Sequence, residues 1–188
     1  MSFEFEPTDI PDVLVVTAAH FPDARGYFLE TFRESAFHKH GVDLRVAQVN
    51  ESVSCARTVR GLHYQLEPHA QGKLARVLRG SVLDVAVDIR RGSPHYGQHV
   101  AIELDADNGR MMWIPPGFAH GFCALTDNTH FLYLQTAEYE LDAEAGFMPL
   151  DPELGIEWPF AEGELILSDK DRALPPLTGA RVNFEYET

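Results

Sequence analysis

The stretch Gly109-Arg110-Met111-Met112-Trp113-Ile114-Pro115-Pro116-Gly117-Phe118-Ala119-His120 has the spacing G-x5-P-x-G-x2-H. It places a short apolar strand, Met111 to Ile114, before a Pro-Pro-Gly turn. A second strand, Gly121 to Leu125, follows the turn. Working outward, the same rhythm covers most of the chain. Val13 to Thr17 is a β-branched run, and Tyr27 to Phe32 alternates, with Phe28, Glu30 and Phe32 on one face. Strands are also expected over Arg45 to Ser52, Lys73 to Leu78, Ser81 to Asp88, His99 to Leu104 and His130 to Thr136. Turn signals separate them, among them Arg79-Gly80, Arg91-Gly92-Ser93-Pro94 and Asp105 to Gly109. Glu34 to His40, stopped by Gly41, is the one segment that reads as a helix. Short strands at this spacing predict a mostly β chain, a sandwich or barrel.

The length of 188 residues fits one domain over residues 1–188. The segment from about 138 is irregular and rich in Pro, Asp and Glu. Trp158, Phe160 and Leu165-Ile166-Leu167 predict that it packs back on the strands. A formal charge of -14 argues against nucleic acid or an anionic membrane as partner. It leaves room for an anionic small ligand held by a local basic cluster. The two cysteines, Cys55 and Cys123, make no disulfide framework. The N-terminus lacks the basic and apolar regions of a signal peptide, and no apolar run reaches the ~20 residues of a membrane span. A soluble, cytoplasmic protein is expected.

A second stretch, Arg60-Gly61-Leu62-His63-Tyr64-Gln65, complements the first. Together they resemble the motifs of the cupins, antiparallel β-barrels of jelly-roll type, and so imply a barrel with a few short helices. In a metal cupin the second stretch would read His-x-His, with a carboxylate further on. Here Gln65 follows His63, and Lys73 stands where the carboxylate is expected. An ammonium repels a cation, and a neutral amide is a poor transition-metal ligand. The expectation is a pocket without a metal, whose histidine, lysine and arginines suit proton abstraction beside a carbonyl.

Further segments carry a closer resemblance: Asp23-x-Arg25-Gly26-x-Phe28-x-Glu30, Gln48-x-Asn50-x-Ser52, Gln71-Gly72-Lys73, Gly80 with Asp84 to Arg90, Tyr133, Tyr139, Trp158-Pro159 and Leu167-Ser168-Asp169-Lys170-Asp171. In this order, from about residue 10 to 176, the chain resembles the dTDP-4-dehydrorhamnose 3,5-epimerases. Leu134, where many members carry lysine, and Pro149-Leu150, where many carry Trp-Asn, depart from the pattern.

The resemblance implies inversion of C3 and C5 in dTDP-4-dehydro-6-deoxy-D-glucose, giving dTDP-4-dehydro-L-rhamnose. Both carbons flank the C4 ketone, so their protons leave to form an enolate. A histidine, which ordinarily titrates near 6.5, suits the base. That base is expected to be His63, with Asp171 as the partner the resemblance supplies. Lys73, if it points inward, would set its charge at O4. Asp84 reads either as the partner of Lys73 or as a buried acid paired to an arginine. Tyr133 resembles the family's general acid, acting from the opposite face. His120 is expected to bind substrate or donate a hydrogen bond rather than hold a metal.

For the nucleotide, Arg25 and Arg60 suit the diphosphate. Gln48, Asn50 and Glu30 suit sugar hydroxyls or the base, and Tyr139 and Phe28 suit stacking on thymine. The resemblance further implies a homodimer whose first strands are exchanged, so that Arg25, Phe28 and Glu30 serve the partner's site. No P-loop or G-x-G-x-x-G fingerprint suggests ATP or NAD, and carbanion chemistry beside an existing ketone needs no cofactor. The rival readings are a mono-epimerase of C3 or C5, a sugar ketoisomerase, a metal-dependent cupin enzyme and a non-catalytic sugar-nucleotide binding protein.

Overall fold

Alternating side chains close into two facing antiparallel sheets in the computed structural model, which describes residues 3–186. The chain opens with β1 (Phe3–Pro7), β2 (Leu14–Ala18), β3 (His20–Asp23), β4 (Gly26–Leu29) and helix α1 (Glu34–Lys39). Next come β5 (Gln48–Ser54), β6 (Val59–Gln65), β7 (Lys73–Arg79), β8 (Ser81–Asp88) and β9 (His99–Asp105). Then follow β10 (Arg110–Ile114), β11 (Phe118–Ala124), β12 (Thr129–Gln135), β13 (Glu144–Gly146) and the short helix α2 (Asp169–Arg172). One sheet has the order β1-β2-β10-β7-β12-β5 and the other β13-β6-β11-β8-β9. Strands β3 and β4 form a separate hairpin.

The interior between the sheets takes Ala75, Val77, Met112, Ile114 and Phe131 from one and Val82, Ala86, Phe118 and Phe122 from the other. Each large side chain there stabilises the fold by roughly 1.5–3 kcal/mol. This is the mostly β, cupin-like architecture with few short helices. β11 is buried along its whole length. Its outer face, including Ala119 and Cys123, is covered by Phe147, Leu154, Leu165, Leu167 and Phe184 of the C-terminal segment. Coverage on both faces explains why this strand reads as an unbroken apolar run.

Several boundaries differ from the sequence reading. β4 ends at Leu29, because the chain there leaves its hairpin and Phe32 turns to pack on Phe37 of α1. β5 begins at Gln48 rather than Arg45, where it first pairs with Gln135 of β12. Strands β1, β3, β6 and β13 lie outside the expected set: β1 is short and charged, β6 carries Gly61 in its first half, and β13 is a three-residue strand in the irregular C-terminal segment. No helix among the described residues is long and apolar enough to cross a membrane.

Candidate active site

Strand alternation turns one set of polar side chains into a cavity of 380 Å³ between the sheets. Directly opposed residues share a face of a sheet. His120 of β11 opposes His63 of β6, Tyr133 of β12 opposes Asn50 of β5, and Gln135 opposes both Gln48 of β5 and Lys73 of β7. Within a regular strand, Arg60 and His63, three residues apart, would point to opposite faces. The register shifts here, so that Phe122 pairs with Arg60, and both residues line the cavity. Gly61 permits the shift with a φ of 125°, and its missing Cβ would lie 2.6 Å from the Gly121 Cα.

On one wall, His63 Nε2 donates to Asp171 Oδ1 at 2.7 Å. With that nitrogen engaged by the carboxylate, Nδ1 is the atom left to accept a proton. The Asp171 backbone N–H donates to the Ser168 hydroxyl, which caps α2. Burial acts to raise the Asp171 carboxyl, but the hydrogen bonds from His63 and its surroundings hold it below its ordinary value. On the opposite wall, the Tyr133 hydroxyl lies 2.7 Å from the Ser52 hydroxyl. Burial raises the Tyr133 pKa, opposed by Ser52 and the charge of Arg60, so the phenol keeps its proton at neutral pH.

The floor is a cluster of ionisable groups. His120 Nε2 donates to Asp84 Oδ1 at 2.6 Å. Lys73 Nζ donates to the His63 carbonyl at 3.4 Å. Burial lowers Lys73 to about 8, partly countered by the charge of Asp84. Lys73 is accessible only in part, along the cavity it lines. Burial also raises Asp84 and lowers His120. The charges of Lys73 and Asp84 favour each other's ionised form, against the burial that opposes both. Asp84 supports the charge of Lys73, as one of its two expected roles required, while its hydrogen bond comes from His120, to which the β8–β11 pairing brings it, and not from an arginine. Its second oxygen, Oδ2, is buried without a hydrogen-bond partner.

The mouth carries Arg60, Tyr139 and Lys170. Arg60 donates to the Ser54 hydroxyl and the Val53 carbonyl. Gln48 stands behind Asn50, which it contacts at 2.9 Å, and its carbonyl accepts from the Tyr139 backbone N–H. Arg25, Phe28 and Glu30 are not brought to this cavity. Arg25 is exposed and paired with Asp23, Phe28 is 69% exposed at the β3–β4 hairpin, and Glu30 pairs with Arg33.

Ser52, Gln65, Gln71, Gln135, Glu144 and Lys170 were given no role from sequence. Gln65 sits where a metal cupin has its second histidine. Its amide instead donates to the His69 and Glu138 carbonyls and accepts from the Glu140 N–H, fastening the loop before β13. Among the described residues, no three His, Cys, Asp or Glu side chains gather in metal-binding geometry. The alternation Gln48-x-Asn50-x-Ser52 was the available signal for Ser52. For Lys170 the signal was its place beside Asp171 in Leu167-Ser168-Asp169-Lys170-Asp171, whereas Glu144 carried none, since it meets Lys170 only in the folded chain.

The arrangement can remove a proton on one wall, hold developing negative charge at the floor and return a proton from the other wall. A family model described as dTDP-4-dehydrorhamnose 3,5-epimerase matches residues 7–179. The dTDP-4-dehydrorhamnose 3,5-epimerase of Sinorhizobium fredii is 46% identical over 183 residues, covering 97% of this chain and 93% of its own. The crystal structure of the dTDP-6-deoxy-D-glucose-3,5-epimerase of Legionella pneumophila in complex with dTDP-4-keto-L-rhamnose superposes with a TM-score of 0.93. It is 39% identical and covers 99% of this chain and 100% of its own. A 3'-monoepimerase from Streptomyces bikiniensis, in complex with dTDP-quinovose, has a TM-score of 0.87 at 37% identity, covering 92% of this chain and 87% of its own. The family match, spanning most of the chain, agrees with the chemistry of the cavity: this chain belongs to the dTDP-4-dehydrorhamnose 3,5-epimerase family.

Proposed function

We propose that the protein epimerises dTDP-4-dehydro-6-deoxy-D-glucose at C3 and C5 to dTDP-4-dehydro-L-rhamnose. The observation that carries this reading is the placement of His63–Asp171 and Tyr133–Ser52 on opposite walls, with Lys73 on the floor. His63 Nδ1 takes the proton from the carbon beside the ketone, and the C–H electron pair becomes the C=C bond of an enolate. Asp171 holds the ring and stabilises the imidazolium. The Lys73 ammonium stabilises the enolate oxygen, His120 supports it from the floor, and Asp84 balances the charge. Tyr133 then delivers its proton to the opposite face of the carbon, and the C4 carbonyl re-forms. Exchange with water then removes the proton from His63 and returns one to Tyr133. The second carbon follows by the same steps after the sugar reorients.

Arg60 takes the diphosphate, Tyr139 stacks on the base, and Asn50 binds sugar hydroxyls or the base, held in place from behind by Gln48. The protein acts as a single domain without metal or cofactor, and we place it in the cytoplasm, where its free cysteines Cys55 and Cys123 remain reduced. We also read it as a homodimer, on the ground that Arg25, Phe28 and Glu30 lie away from their own cavity while Phe21, Tyr27 and Phe28 stand more than half exposed on one hairpin. That hairpin would carry these residues to the partner's cavity. Mixing inactive Arg25→Ala and His63→Asn proteins should then restore about a quarter of wild-type activity, since half the dimers are mixed and each holds one intact site. No recovery would refute the exchange.

The test of function is proton NMR in D2O with dTDP-4-dehydro-6-deoxyglucose, with His63→Asn as control. Deuterium at both carbons, with an L-rhamno product, supports the reading. Exchange and inversion at one carbon would establish the mono-epimerase, a reading favoured by the likeness to the Streptomyces 3'-monoepimerase. No exchange would refute both.

A further inference from the structure

Two inversions on one bound sugar draw on the Tyr133 proton twice, so the phenol must be reloaded between them. Its ring is fixed by aromatic neighbours: Phe131 lies 5.2 Å away between centroids and His120 6.0 Å, both edge to face. Its strand, β12, runs between β7 and β5. A sugar seated against the hydroxyl covers the cavity side. What remains at the hydroxyl is Ser52 of β5 at 2.7 Å, its one hydrogen-bond partner among the described residues.

Ser52 is suited to carry a proton. A serine hydroxyl donates one hydrogen bond and accepts two, and it rotates to exchange these roles. Ser52 is half-buried on the edge strand of its sheet, and Glu51 and Val53 on either side of it are exposed. A positive charge is fastened beside it, since Arg60 donates to the Val53 carbonyl at 3.2 Å and to the Ser54 hydroxyl at 3.1 Å. That charge and the Ser52 hydroxyl both favour the ionised phenol, against the burial that opposes it. The phenolate left when Tyr133 gives up its proton therefore has a hydroxyl and a guanidinium to stabilise it.

We propose that Ser52 is the proton relay of the reaction, reloading Tyr133 from water while the sugar stays bound. In each inversion the enolate C=C electron pair forms the new C–H bond with the Tyr133 proton, and the O–H pair stays on the phenolate. Ser52 then passes its proton to the phenolate as it takes one from water, so no free alkoxide forms. The proton that His63 releases to water balances the one taken up. The inference rests on the epimerase reading proposed above.

Ser52→Val and Ser52→Thr add nearly the same volume, both suit a strand, and only threonine keeps a hydroxyl. Rapid-quench sampling with dTDP-4-dehydro-6-deoxyglucose in excess over sites counts inverted carbons against time. Ser52→Val starts with one proton on Tyr133. It should show a burst of about one inverted carbon per site, slowed no more than about tenfold by loss of a hydrogen bond. Later turnover should be slowed about 100-fold or more, the usual worth of a lost proton-transfer group. Ser52→Thr should show no burst and should turn over within about tenfold of wild type. Thermal melts check that both variants fold; should valine unfold the chain, Ser52→Ala takes its place with the same burst expected. A folded Ser52→Val slow from its first inversion would make Ser52 a mere support of the ring. A Ser52→Val as fast as Ser52→Thr would mean that water reloads Tyr133 without it. Either result overturns the relay alone, whereas a wild type that inverts no carbon would overturn the epimerase reading and the relay together.

Discussion

Asp84→Asn isolates the electrostatics of the cavity floor. The asparagine carbonyl can still accept from His120 Nε2, so the change removes a charge and little else. Lys73 faces Asp84 of β8, His120 of β11 and the His63 carbonyl of β6. Burial has already lowered it to about 8, with Asp84 opposing the fall. At pH 7.5 a group with that pKa is roughly three-quarters charged. A close opposite charge typically shifts a pKa by about 1–3. Without Asp84, Lys73 should titrate between about 5 and 7, leaving a charged fraction between about a quarter and below one per cent at pH 7.5. If the enolate is stabilised by the ammonium, kcat/KM at pH 7.5 should fall by about threefold to a few hundredfold. The basic limb of the profile, near pH 8 in the wild type, should move below about 7. The assay is kcat/KM from pH 5.5 to 9.5, read by loss of the sugar H3 and H5 signals in D2O. A basic limb left near 8, or a loss uniform across pH, would refute the idea that Asp84 acts through the charge of Lys73.

Tyr133→Phe should continue to exchange deuterium at the carbon attacked by His63 while inverted product falls about 100-fold or more, the usual worth of a general acid; an unchanged product yield removes Tyr133 from that role. Asp171→Asn should lower kcat by about 10²–10⁴ and destabilise the fold by about 1–3 kcal/mol at pH 7. Because the folded Asp171 pKa is depressed, its stabilisation is full above the ordinary carboxylate value of about 3.9 and is lost as pH falls through the lower folded value. Urea titrations at pH 7 and below pH 3 should therefore show the gap between variant and wild type closing, and a constant gap would count against the pairing. Gly61→Ala would place a Cβ 2.6 Å from the Gly121 Cα and 2.8 Å from the His120 carbonyl oxygen, at a positive φ. Chemical denaturation should reveal a loss of about 2–4 kcal/mol, accompanied by a fall in kcat as His63 shifts; wild-type stability would show that β6 and β11 can separate there without cost.

Much of this protein was legible in one dimension. Period-two alternation and the turns between short apolar runs identified most strands of both sheets, because pleated strands with one buried face impose that pattern locally. The G-x5-P-x-G-x2-H stretch and the Arg60 to Gln65 stretch marked β11 and β6, two of the strands that line the cavity, although nothing local identified β6 as a strand. Where the expectations failed, the cause was non-local. β3 exists only against β4, and β5 begins where β12 offers a partner rather than where its own residues become β-branched. Asp84 does support the charge of Lys73, but strand register also gives it a hydrogen bond from His120 that charge alone did not indicate.

The residue types of the chemistry, a histidine, a lysine, a tyrosine and carboxylates, were thus set out by the sequence. Their geometry was decided by tertiary structure. Arg60 and His63 share one cavity only because Gly61 lets β6 change register against β11. His63 meets Asp171 across 108 positions of chain, and Glu144 meets Lys170 across 26. Such pairs leave no periodic trace, since hydrogen bonds of a few ångströms are fixed by sheet pairing and by the return of the C-terminal segment, not by spacing along the chain.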